Sequence, residues 1–522
     1  MEMDYEASTE SNEAPEVSVD TPMNFKASET LKIAFKDRKK VSKNYVPEGF
    51  ESKEDFLKDM REKYTTDVDN DRENRDAALE DKKFAAGDQW DKTVLEHRKG
   101  LPNLVINSVP QFTAQLVGDW REDRNAIKVY AEEDSDVDIA GIRSDLIRAI
   151  EQKSRASRAY DGGFESMVQC GDGGWRVTVE YANDDVFDQD IFIRPIDDAL
   201  SIVWDSYSID PTGRDANRAF VDDAMPKKEY DKTFKGKEST ALGANELANL
   251  RSDGWVADDN IKVTEYWRMV ERDRKLVLFE DGAIIPIEDD TKMVGLIEKH
   301  GMPVKERVAP CKYAQMHLVS GFEILDGPYE WKMNRLPIIR CSGRVVNIAG
   351  KRMRYGLVRF MKDSVRLKNF WRSVAAEQLG YAPKAKWMAT ESAVEGREGD
   401  IRKAHLTRDP LMIFNDEAVF GQNVQQVMPP PIEAALLNEA AANNQDMKDV
   451  TGVHDASLGI KSNETSGRAI MARQREGDIA SLTFYDNGNA AILETGDVIN
   501  QLIGQVYDGT RTLRLIGEDS EP

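Results

Sequence analysis

At 522 residues the chain is too long for one ordinary hydrophobic core, so several domains are expected. Hydrophobic residues make up 40% and charged residues 32%, and no apolar run approaches the ~18 residues that cross a bilayer, which argues against a membrane protein. A formal charge of −23 argues against a sequence-specific DNA binder, but it suits a wall that surrounds DNA and repels phosphates without gripping them.

Residues 1–50 are rich in Glu, Ser, Asp and Thr, and the first basic residue is Lys26. They are expected to be a disordered acidic terminus, with no signal peptide. Three well-separated cysteines, Cys170, Cys311 and Cys341, contain no CxxC pair. That is the pattern of reduced thiols in an intracellular protein, so assembly in the cytoplasm is expected.

From Ser52 to Lys83 dense mixed charges predict a solvent-facing helix pair with an apolar edge. An amphipathic helix is expected from Pro110, with Ser108 as its cap. The next, DVDIAGIRSDLIRAIEQKS, places Ile139, Ile142, Leu146 and Ile150 on one stripe. Beyond Gly174 the period falls to two. WRVTVEY and QDIFIRPI read as a hairpin, residues 261–282 as two further strands, and 174–345 as an antiparallel β-rich module.

The chain then turns basic. A helix is expected from Lys351 to Arg372 with Asp363 as its only acid, and with Arg352, Arg359, Lys362 and Arg366 on one face. Its apolar face is expected to hold Leu357, Phe360, Leu367, Trp371 and Val374. The bland reading of the basic face, a solvated surface or one paired with acids of a neighbouring subunit, is favoured over a DNA-facing stripe. Residues 382–428 are short, mixed and turn-rich, and Pro429, Pro430 and Pro431 mark a boundary before another helix. A long helix is expected from about Thr465 to Val506, interrupted at Gly477, Gly488 and Gly496 by a bend or a close contact. Arg468, Arg473 and Arg475 follow the turn-like segment that holds Lys461. An ordinary capped helix start is favoured there over a loop projecting into a channel.

Catalytic patterns are missing from the sequence. There is no GxxxxGK[ST], HExxH, GxSxG or EF-hand loop. The five histidines are scattered singly, which reads as structural. Among 94 acidic residues, pairs such as Asp188/Asp190 and Asp197/Asp198 are expected by chance. No catalytic residue, cofactor or metal is assigned.

A series of segments falls in a recognisable order: FAAGDQWD (Phe84 to Asp91), GLPNLVINSVPQFTAQLVGDWREDRNAIKV (Gly100 to Val129) and AYDGGFESMVQCGDGGWRVTVEY (Ala159 to Tyr181). After these come FDQDIFIRPIDDALSIVWD (Phe187 to Asp205), YGLVRFMKDSVRLKNFWRS (Tyr355 to Ser373) with APKAKW, NETSGRAIMARQREGD (Asn463 to Asp478) and YDGTRTLRLIGED (Tyr507 to Asp519). Together they resemble the portal proteins of short-tailed double-stranded-DNA bacteriophages, across roughly residues 80–519, and their order carries the resemblance.

The resemblance implies a mixed α+β, multidomain portal fold and a homo-oligomeric ring, usually a dodecamer, at one capsid vertex of the virion. Residues 51–350 would be the wing, 351–381 and 431–455 the stem helices, and 382–430 the clip. Residues 456–522 would hold the channel loop, a long helix and the start of a crown. The candidates for channel or subunit contact are then Arg352, Arg359, Lys362, Arg366, Lys461, Arg468, Arg473 and Arg475.

The implied role is a passive conduit in genome packaging, capsid assembly and ejection. Its implied partners are the terminase large subunit, a tail adaptor, major capsid and scaffolding proteins, and double-stranded DNA, with no membrane. Many relatives continue into a large helical crown, whereas this sequence stops at Pro522, which reads as a compact member or one lacking that part. Two rivals stay open: a non-channel scaffold or head–tail adaptor, and a metal-dependent nuclease using Asp188, Asp190 and Asp205.

Overall fold

The computed structural model describes residues 45–122, 124–131, 136–183, 185–234, 255–257, 260–287, 293–381, 386–388, 395–396, 399, 425–427, 434–452 and 467–507. Its first element, α1 (Lys53–Ala86), is one 34-residue helix where a helix pair was expected. Ser52 caps it by accepting from the Asp55 amide, and Gly87 at φ 117° closes it. No breaker lies between these caps. Its inner stripe runs Phe56, Met60, Tyr64, Asp67, Asp71, Asn74, Ala78, Asp81, at the three- and four-residue steps of one helical face. That stripe therefore changes from apolar to acidic half-way along the helix.

Four helices follow: α2 (Lys92–His97), α3 (Val109–Glu122), α4 (Val137–Ser154) and α5 (Ala156–Cys170). The Val109 amide that opens α3 bonds the Asn107 side chain, while the expected cap, Ser108, receives the Lys368 ammonium instead. In α4 only the later part of the expected stripe is buried. Ala140, Leu146, Ile147 and Ile150 face the core, whereas Ile139 and Ile142 are more than half exposed.

The β-rich region is antiparallel in every described pairing. Strands β1 (Asp172–Tyr181) and β2 (Gln189–Pro195) form the expected hairpin. A second sheet begins with β3 (Ile202–Trp204) and β4 (Arg218–Pro226), is followed by helix α6 (Lys227–Thr233), and resumes at β5 (Val256–Ala257). Strand β6 (Asn260–Phe279) is a single run of 20 residues where two strands were expected. Its charged middle, ERDRK, stays in the ladder because each residue has a partner on β8. Next come β7 (Ile284–Ile287), helix α7 (Met293–His300), β8 (Pro303–Ser320), β9 (Ile324–Lys332) and β10 (Ile338–Ser342). The large sheet runs β3-β4-β6-β8-β9 with β5 and β7 on β6, and β10-β1-β2 forms a smaller sheet.

The start of α1 packs Phe56, Met60 and Tyr64 on Phe220, Tyr266 and Trp255 on one face of the large sheet. On the opposite face Tyr230 and Phe234 pack on Met225, Ile261 and Val263. Residues 45–50, expected in the disordered terminus, pack here as well. Tyr45 reaches His317, and Glu48 pairs with Arg272. Residues 1–44 lie outside the described residues.

The chain closes with hairpin β11 (Arg344–Ile348) and β12 (Lys351–Tyr355), helix α8 (Leu357–Tyr381), the strand pair β13 (Lys386–Met388) and β14 (Gln425–Val427), helix α9 (Ala434–Thr451) and helix α10 (Gly467–Val506). Helices α8 and α9 pack side by side. Helix α10 is continuous for 40 residues, or roughly 60 Å, without the expected interruption. Its close contacts are real: a Cβ at Gly488 would sit 2.8 Å from Phe164, and one at Gly496 2.5 Å from Ile127. The buried side chains Phe484, Ile492, Ile499 and Leu502 join α10 to a core shared with α3, α4, α5 and the small sheet.

Candidate functional site

The expected basic helix is two elements. Lys351 to Tyr355 form β12, turned onto β11 through Ala349 and Gly350, both at positive φ. The β-branched run in RVVNI is the sequence signal for that strand. Gly356 then lies so close to the backbone of Gln169 and Cys170 that a Cβ there would meet the Gln169 carbonyl at 2.4 Å. The helix begins only at Leu357, so Arg352 does not share a face with Arg359, Lys362 and Arg366. The Arg352 guanidinium donates to the Ser208 carbonyl at 2.9 Å.

The other three cations lie together on α8 and turn to the acidic half of the α1 stripe. Arg359 donates to one Asp81 oxygen at 2.7 and 3.0 Å, and Lys362 lies 2.7 Å from the other. Lys362 also pairs with Glu80 at 2.9 Å, and Arg366 with Glu80 at 3.2 Å and Asp91 at 3.5 Å. The Lys362 hydrogen bond, with the nearby Arg366, holds the Glu80 carboxyl below its usual range. These cations were expected on a solvated face or against a neighbouring subunit's acids; within the chain they already pair with α1. The apolar face of α8 also differs from the expected set. Leu357, Val358, Met361 and Val365 are buried, and Leu367 is exposed.

Nearly three helical turns earlier on α1, a second network joins the two sheets to the hairpin. The Arg354 guanidinium bonds both Asp71 oxygens, at 2.8 and 2.6 Å, and Asp172 at 2.6 Å, while Arg340 reaches Asp172 at 2.9 Å. Burial pushes the Asp71 carboxyl up, but the charge and hydrogen bond of Arg354, with Arg340 and Asn74, together more than offset it, so Asp71 stays below the usual range. Burial, reinforced by Arg354, lowers Arg340. Asp67 takes Arg218 at 2.7 Å to complete the series. Sequence reading missed Asp67 and Asp81 as buried acids and Asp71 as a half-buried one. The available signal was their helical phase, which continues the stripe of Phe56, Met60 and Tyr64.

Helix α10 is pinned by polar contacts as well as packing. The Trp175 indole donates to Thr495 Oγ1 at 2.8 Å, Arg335 pairs with Glu494 at 2.5 Å, and Asn487 donates to the Ser342 and Gly343 carbonyls. Arg468, Arg473 and Arg475 fall within the early turns of this helix. Lys461 and nearly all of 382–430 lie outside the described residues.

The carboxylates of the nuclease alternative are not gathered. Asp190 pairs with Lys153, Asp198 with Lys82, and Asp205 with Arg218 at 3.1 Å, while Asp205 also accepts from the Asn217 amide. Among the described residues no three His, Cys, Asp or Glu side chains come together to hold a metal, and no helix is long and apolar enough to cross a membrane. His97, His300 and His317 each have a local partner in Thr93, Asp281 and Tyr45. The geometry is thus a set of charged braces between long helices and sheets. Residues 61–522 match the family model described as Phage P22-like portal protein.

Proposed function

The chain belongs to the P22-like phage portal protein family, and from that premise we propose that it forms a ring-shaped DNA channel at one vertex of the capsid. Portal proteins are structural components of the phage virion, so the chain has a phage portal role. The finer reading has α8 and α9 as the stem, residues 382–430 as the clip that meets the terminase motor and later a tail adaptor, and residues 51–350 as the wing. The motor, not this chain, supplies ATP hydrolysis for packaging.

One observation carries this reading beyond family membership. The chain runs from a braced helix α8, through an insert joined at its base by β13 and β14, to helix α9, which packs beside α8. A side-by-side helix pair joined in sequence through an insert suits a stem and clip. The charge suits a conduit: the chain carries −23 overall, and Arg359, Lys362 and Arg366 are engaged by α1 and so are not free to hold phosphates by counterion release. We assign those three residues to bracing the root of the stem. Arg468, Arg473, Arg475 and Lys461 stay as candidates for the channel side.

The test is negative-stain microscopy with mass photometry on the purified full-length chain. Rings with a central hole and a mass near twelve subunits are expected. A chain that stays monomeric at every concentration overturns the channel reading.

A further inference from the structure

The far end of the large sheet is a three-stranded ribbon whose two faces differ. Strand register places Ile284, Leu278 and Lys305 in one cross-strand row, and Pro286, Leu276 and Arg307 in the row two residues on. Cross-strand partners share a face, and so do positions two apart. These six residues therefore make one surface, apolar on β7 and β6 and cationic along β8. The opposite face carries Val277, Phe279 and Ile285, which are covered by Leu296 and Ile297 of α7. The first face has no such cover among the described residues. Ile284 is 65% exposed, and Lys305 and Arg307 are exposed without an ion pair among the described residues.

A second uncovered surface has the opposite charge. On α4, Ile139 and Ile142 share one face and are both more than half exposed, and the Val129 amide bonds Ser144 Oγ at 2.9 Å, which draws exposed Tyr130 alongside. Asp136 and Asp138 flank these side chains, exposed and without an ion pair among the described residues. Uncovered apolar clusters of this kind mark contact surfaces.

Neither surface suits a two-fold contact with its own copy, because that sets like charges against each other. They suit one another. A contact between different patches on identical chains is head-to-tail, and a head-to-tail contact closes into a ring when its rotation allows. We infer that the ribbon face of one copy, built on Leu276, Leu278 and Ile284, seats on the α4 face of the next copy, built on Ile139 and Ile142. Lys305 and Arg307 then stand opposite Asp136 and Asp138. The inference rests on the ring reading and names the surfaces that would form it.

The test is a charge exchange in the full-length chain. One variant carries Lys305→Glu and Arg307→Glu, a second carries Asp136→Lys and Asp138→Lys, and a third carries all four. All four side chains are exposed, but Asp136 and Asp138 open α4, where lysines oppose the helix dipole, so the thermal midpoint of each variant is measured to separate folding from assembly. Each two-site variant is expected to raise the concentration needed for ring formation about tenfold or more, and the four-site variant to recover most of that loss. A wild-type ring unaffected by either two-site variant, or a four-site variant that fails to recover, overturns the pairing alone. A wild-type chain that never assembles overturns the ring reading, and the pairing with it.

Discussion

The Lys362 ammonium lies 2.7 Å from Asp81, and both residues are withdrawn from solvent, one on α8 and the other on α1. Arg359 holds the second oxygen of the same carboxylate. A buried ion pair is a weak net stabiliser while intact, because desolvation offsets most of the attraction. Removing one partner is different, since the charge left behind stays buried. Asp81→Ala strands two cations and is expected to cost about 3–5 kcal/mol, read as a lower denaturant midpoint at unchanged m-value. Lys362→Met leaves Asp81 paired with Arg359 and is expected to cost clearly less. Equal costs for the two variants would mean that the carboxylate is not the hub of this contact.

Helix α10 offers two glycines with opposite expectations. Gly488 lies against Phe164, itself stacked on Trp120 with ring centres 4.1 Å apart, so an added methyl group has nowhere to go. Gly488→Ala is expected to destabilise by about 1–3 kcal/mol despite the better helix propensity of alanine. Gly504, on the same helix, is exposed, and a Cβ there meets nothing within 4 Å. Gly504→Ala is expected to stabilise by about 0.5–1 kcal/mol. Thermal unfolding of the two variants distinguishes a helix fixed by close approach from one limited by propensity alone.

The extended segment before α3 is held by side chains instead of by a neighbouring strand. The Ile106 amide donates to Asn369 at 2.8 Å and the Leu104 amide to Ser373 Oγ at 2.9 Å, both acceptors standing on the buried side of α8. Asn369 also donates to Gln89 at 2.7 Å. Asn369→Leu keeps the volume roughly constant but leaves those partners unmatched, at an expected cost of about 1–3 kcal/mol. Hydrogen exchange checks the local effect: the Ile106 amide should lose protection while the amides of β6 keep theirs. Uniform loss across both would place the damage elsewhere.

Where the local pattern and the tertiary demand agree, the sequence was readable. WRVTVEY alternates and the turn-rich ANDDVFD separates it from QDIFIRPI, and the glycines of α10 pointed to the close contacts that Phe164 and Ile127 make. Residues 351–355 misled because KRMRY satisfies a helical charge pattern, and only its partner RVVNI and the turn at Ala349 and Gly350 make it a strand. The charged centre of β6 looked like a break for a similar reason: its ladder partner lies some forty residues away on β8. Ile139 and Ile142 fitted a core stripe by period, yet period does not say which face of a helix finds a neighbour. The candidate site was half legible. Its cations stood out in an acidic chain, but their partners on α1 are about 280 positions earlier and are ordinary aspartates until the fold buries them.

His317 sits at the meeting of β8, the start of α1 and residues 45–50, fully buried, with Nε2 3.2 Å from the Tyr45 hydroxyl and its ring 5.0 Å from Phe56. Burial, reinforced by the nearby Arg268 charge, lowers its imidazole from 6.5 to about 3. The folded value lies below the unfolded one, so the unfolded chain takes up the proton first as pH falls. The neutral ring's contribution is complete above about pH 6.5 and is lost as pH falls toward about 3. Within that window the loss approaches about 1.4 kcal/mol for each pH unit. His317→Phe keeps an aromatic ring among Phe56 and Tyr266 and removes the titration. Denaturant midpoints measured from pH 7 to pH 4 should fall less steeply for this variant than for the wild type. Parallel curves would mean that the ring takes up its proton without unfolding, with Tyr45 moving aside to let water reach it.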